Sequence, residues 1–90
     1  MPEGICVLRS RTIASLPVYQ EPSEAAEIIG MMHPTAMIEV VAKNMDGWYK
    51  IKTDEVNEAG NPDQKIGSGT AWLYETGTEL FGACENLTNE

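Results

Sequence analysis

Histidine, basic side chains and long apolar runs are all scarce in this chain, and each scarcity removes a class of function. No apolar stretch approaches the roughly 20 residues that a helix needs to span a bilayer, so membrane insertion is not expected. The single histidine, His33, precedes Pro34 at an expected turn, and neither a Ser or Cys nucleophile motif nor a phosphate-cradling Gly loop is present. The chain therefore reads as a non-enzyme without a cofactor. Lys and Arg number 6 against 14 Asp and Glu, a net charge of −8 with a pI near 4.4, which repels phosphate backbones. Nucleic acid is excluded as a partner on that ground. The opening MPEGICVLRS has neither a basic n-region nor an apolar h-region, so a cytosolic chain or a mature form without its leader is expected.

What remains suffices for one small domain. Ninety residues with 42% apolar and 22% charged content lie near the globular average. A chain of this mass should keep roughly 5,200 Å² of surface when folded. Glycine (8) and proline (5) recur along it, and apolar residues come in short stretches bounded by turn formers, which is a strand pattern. Strands are expected at Ile5 to Leu8, Ala14 to Tyr19, Ala36 to Lys43, Trp48 to Thr53, Thr70 to Thr76 and about Leu80-Phe81. In the third of these, Ala36, Ile38, Val40 and Ala42 form an apolar face opposite Glu39 and Lys43. Asn44 to Gly47 supplies turn chemistry, with Asn suited to a left-handed backbone and Asp-Gly to a tight turn.

Parity in the next strand sends Tyr49 and Ile51 inward and leaves Trp48, Lys50 and Lys52 outward; Ala71 and Leu73 then point inward, and Trp72 and Tyr74 outward. Pairing Ile51 with Leu73 would set Lys52 opposite Trp72 and Lys50 opposite Tyr74. Asp54 to Gly69 reads as a long polar hairpin loop, Ser23 to Ile29 as a place for one helical turn, and Glu85 to Glu90 as a fraying polar tail. Five or six short antiparallel strands around one small core fit a closed or half-closed barrel.

The segments ASLPVYQEPSEAAEIIG, AMIEVVAKNMDGWYKIK and GTAWLYETGTEL, over residues 12 to 82, resemble in order and spacing the bacterial Src-homology-3 (SH3b) domain. Pro22-Ser23, Ile28-Ile29-Gly30, Gly47 to Ile51 and Trp72-Leu73 carry the likeness, and the GWYKI run is its most specific part. Pro17-Val18-Tyr19 replaces the family's Asn-Val-Arg, Ala71 replaces a glycine, and the hairpin loop is longer than usual. The resemblance implies a small SH3-like barrel serving as a binding module, often in cell-envelope proteins and attached to wall-degrading enzymes. In such a barrel the first and last strands are neighbours, which implies a Cys6–Cys84 bridge. Two independent buried thiols are the alternative, and a bridge would place the domain in a secreted or envelope setting.

Trp48, Trp72 and Tyr74, with Tyr19, Glu21 and Glu24, form the candidate ligand site. One reading is a shallow groove for an extended or proline-rich peptide of basic or neutral charge, met by the acids at positions 21, 24 and 27. The other has the rings covering the barrel beneath the loop from Gln20 to Glu27. A structural role as a subunit of a larger assembly and a cell-wall targeting role are the remaining alternatives. Asp54, Glu55, Asn57, Glu58, Asn61 and Asp63 are hard oxygen donors without the spacing of a calcium loop. His33 beside Met31 and Met32 is an incomplete metal donor set.

Overall fold

The computed structural model describes residues 5–61 and 63–90. Its nine strands are β1 (Cys6–Ser10), β2 (Leu16–Tyr19), β3 (Ile28–Met32), β4 (Ile38–Lys43), β5 (Trp48–Lys52), β6 (Asn57–Glu58), β7 (Thr70–Tyr74), β8 (Thr78–Gly82) and β9 (Thr88–Asn89), with a 3-10 turn at Cys84–Asn86. They join one sheet in the order β6-β3-β2-β7-β5-β4-β1-β8, antiparallel throughout except for β9, which runs parallel to β4. The all-β expectation holds. The strand number does not, and the ladder stays open, because among the described residues no strand joins β6 at one end to β8 at the other.

Alternation decides which side chains make the core. Ile38, Val40 and Ala42 of β4 are buried, as are Cys6 and Leu8 of β1, Ile51 of β5, and Ala71 and Leu73 of β7. Val18, Met32 and Val56 complete the cluster, and the folded surface of 5475 Å² is close to that expected for the chain length. The turn between β4 and β5 forms as anticipated but by another device: among the described residues none other than glycine has a positive φ. Asn44 acts through its side chain, whose Oδ1 accepts from the N–H groups of Asp46 (2.9 Å) and Trp48 (3.0 Å). Gly47, at φ 89°, takes the left-handed position that an L side chain resists.

Three segments depart from expectation. Ile28 and Ile29 belong to β3 rather than to a helical turn, while Ser23 holds a local turn through Ala26 N–H to Ser23 O (3.1 Å). The region from Asp54 to Gly69 is folded back on the sheet instead of standing out as a loop. Its β6 pairs with β3 (Gly30 opposite Glu58, Met31 opposite Asn57), Asn57 bridges to Lys65, and Val56 is fully buried. Thr53, also buried, donates its hydroxyl to the Gly67 carbonyl at 2.6 Å and closes the base. Val56 and Ile66, the two large apolar side chains of a polar segment, both pack against the core beside Gly30, and that is enough to hold the segment down.

The tail is likewise docked. Leu87 packs on the core, β9 continues the edge of β4 beyond β1, and Glu90 N–H reaches the Lys43 carbonyl at 2.8 Å. A Cys6–Cys84 disulfide, with Cα atoms 4.6 Å apart, ties β1 to the start of this segment.

Candidate functional site

β2, β5 and β7 lie side by side, and each turns one face to the core and the other outward. Tyr49 pairs with Leu73 and Ile51 with Ala71, a register two residues from the expected one. The faces are unchanged because a shift of two preserves parity. The alignment is held by the bonds that bracket the pair, Glu75 N–H to Gly47 O (2.9 Å) at one end and Thr53 N–H to Gly69 O (3.1 Å) at the other. As a result Trp48 stands opposite Tyr74, Lys50 opposite Trp72, and Lys52 opposite Thr70.

Trp48 does not face solvent. Only 4% of it is exposed, since Tyr19 from β2 and Tyr74 from β7 close over the indole edge-on, with ring centroids 5.2 and 5.1 Å away and interplanar angles of 90° and 62°. Edge-to-face contacts of this kind set the positive rim of one ring against the negative face of the next. Parity correctly assigns Trp48 to the face away from Ile51 and misses that this face has a cover of its own. Beside the trio lies a cleft of about 190 Å³ lined by Leu16, Pro17, Tyr19, Glu24, Trp48, Leu73, Tyr74 and Thr76. Leu16, Pro17 and Thr76 were not anticipated; their sequence signal is the extended Pro-containing stretch before Tyr19 and the turn after Tyr74.

Among the candidate residues, then, Tyr19, Trp48, Tyr74 and Glu24 converge. Trp72 is half-buried outside the cleft, with the Lys50 ammonium 5.9 Å from its ring centroid, at the edge of cation–π range. Glu21 is exposed on the turn after β2 and does not line the cleft. The lysines of this face are already engaged, Lys50 with Glu90 at 3.0 Å and Lys52 with Glu39 at 3.3 Å. Arg9–Glu79 and Lys65–Glu55 are the other ion pairs among the described residues, so Glu21 and Glu24 enter none. The exposed charge at the cleft is negative.

Other recesses are larger but differently furnished. About 590 Å³ lies between the β4–β5 turn, Tyr49, Glu75 and Asn89, where burial and then the Glu75 charge push the Tyr49 phenol above its ordinary value. About 670 Å³ lies beside His33, Met37, Glu55 and Lys65. Among the described residues no three of His, Cys, Asp and Glu gather as a metal site, so the loop acids do not converge. The chain matches no protein-family profile, no curated protein and no solved structure.

Proposed function

We propose that this chain is a non-enzymatic SH3-like protein-binding module whose cleft beside Tyr19, Trp48 and Tyr74 takes an extended, proline-containing peptide of basic or neutral charge. The carrying observation is the aromatic trio itself: a nearly fully buried indole forms a rigid wall for two partly exposed phenols, with Pro17 and Glu24 at the rim. At about 190 Å³ the cleft is below the range of roughly 300 to 1,000 Å³ that holds drug-sized ligands. It suits one or two side chains of a longer ligand. Pre-formed extended peptides lose little entropy on docking to aromatic-lined grooves, and Glu24 and Glu21 supply attraction for a Lys or Arg flanking the docked residues. The barrel assignment rests on the order of the Pro22-Ser23, Ile28 to Gly30, GWYKI and Trp72-Leu73 elements. The disulfide favours an oxidising setting such as the cell envelope or the exterior.

The test is a titration of isotope-labelled protein with arrayed synthetic peptides, proline-containing and carrying zero to three lysines or arginines. Shifts should concentrate on Pro17, Tyr19, Trp48 and Tyr74, strengthen with peptide charge, and vanish in Tyr74→Ala with the fold intact. Peptides that bind elsewhere, or no binder across the array at millimolar concentration, would remove the reading.

A further inference from the structure

The two ends of the open ladder are finished differently. At one end β6 and its bridge to Lys65 cap β3 with a short piece of the chain's own hairpin. At the other, β8 runs five residues beside β1 and has no second strand partner among the described residues. Which of its backbone groups face β1 follows from two bonds flanking the strand pair. Arg11 N–H donates to Gly77 O and Ala83 N–H to Ile5 O, both at 2.8 Å. Residues 77, 79, 81 and 83 therefore bond toward β1, and alternation turns the N–H and C=O of Leu80 and Gly82 to the open edge. Thr78 spends its N–H on Glu75 O and keeps its carbonyl outward.

Natural edge strands are commonly blunted by lysine, proline or a bulge. Thr78–Gly82 (TELFG) has neither residue, and its register with β1 runs unbroken over five pairs. We infer that this edge pairs antiparallel with β8 of a second copy of the chain, centred on Leu80. The choice of occupant follows from the side chains. A two-fold centred on Leu80 sets Leu80 against its counterpart on the core side, where each is half-buried at the margin of an unclosed core. On the outer side it sets Glu79 against the other copy's Phe81, in a non-hydrogen-bonded pair where side chains approach most closely. Over that Phe81 ring, 4.9 Å from its centroid, lies Arg9. Each Glu79 thus meets an arginine from the opposite copy as well as its own at 3.1 Å, and the two Glu79 carboxylates do not face each other. Any other register loses either the leucine pair or the charge match.

The opposing effect is the charge of −8 on each copy. Like charges beyond about 8 Å are screened at physiological ionic strength, so association should strengthen as salt rises from low values. Few protein interfaces based on one strand pair reach the roughly 1,200 Å² of stable complexes, which places this dimer in the weak, concentration-dependent class.

Sedimentation equilibrium of the whole chain, from about 20 μM to about 1 mM and at about 0.02 M and 0.15 M salt, reads the association directly. A monomer–dimer equilibrium tightening with salt is expected. Glu79→Arg should weaken it about ten-fold, since the exposed site tolerates the change while two arginines then meet. The double exchange Arg9→Glu with Glu79→Arg should restore it, and the Leu80 amide should gain exchange protection on dimerisation. A monomer throughout, or a dimer indifferent to Glu79→Arg, would overturn the inference. So would a Leu80 amide equally exposed at all concentrations.

Discussion

A methyl group on Gly30 would lie 2.7 Å from Val56 Cγ1 and 2.5 Å from the Asn57 carbonyl oxygen. Both distances are shorter than real carbon contacts, so β3 and the returning segment approach as they do only because residue 30 has no side chain. Gly30→Ala should push residues 54–66 off the sheet while leaving β4, β5 and β7 paired. Hydrogen exchange would show Glu58 and Ile66 amides losing protection ahead of Ile51. An unchanged exchange pattern would mean that the segment is held by something other than this fit.

Trp48 and Trp72 should respond differently to truncation. Removing the buried indole of Trp48 strips the support from Tyr19 and Tyr74 and leaves a void, with an expected cost of about 3 to 5 kcal/mol. Trp72, half-buried beneath Lys50, should cost about 1 kcal/mol. Urea melts of the two alanine variants decide it, and equal losses would contradict the geometry.

The Cys6–Cys84 bridge closes a loop of 78 residues. The chain-entropy relation gives about 4 to 5 kcal/mol for such a loop, most of what a small domain has in hand. Melting with and without reductant, beside a Cys6→Ser, Cys84→Ser double variant, should show matching large losses. Unreduced native protein should resist alkylation, with a mass two hydrogens below that of the reduced form.

Tyr49 gives a pH signature. Its phenol is held neutral by burial first and by the Glu75 carboxylate second, so its folded pKa lies above the unfolded value of 10.0. The unfolded chain then releases its proton first as pH rises. The contribution to stability is complete below pH 10.0 and is lost as pH climbs from there through the higher folded pKa. Alkaline denaturation of Tyr49→Phe should lack that part of the decline, and Glu75→Gln should lower the Tyr49 midpoint in an ultraviolet difference titration.

The parts of this architecture legible in the sequence are those set by local alternation. Ile38, Val40, Ile51 and Leu73 occupy the core that their parity dictates. β6 and β9 carry no such pattern, being two residues each. They exist because Gly30 leaves a recess for Val56 and because Cys84 is tethered to β1, both relations between distant positions. The site shows the same division. Parity assigns Trp48, Trp72 and Tyr74 to one face, whereas the burial of Trp48 depends on a tyrosine 29 positions earlier that closes over it from a neighbouring strand.

The long disulfide-closed ring has one more effect, on how the molecule survives cutting. Gly60 lies exposed at the tip of the returning segment with open space around it, an accessible point for a protease. A break there separates β1 to β6 from β7 to β9, yet β7 stays wedged between β2 and β5, and Cys84 stays bonded to Cys6. The two fragments would remain one covalent particle, and the nick would become visible by size only after reduction.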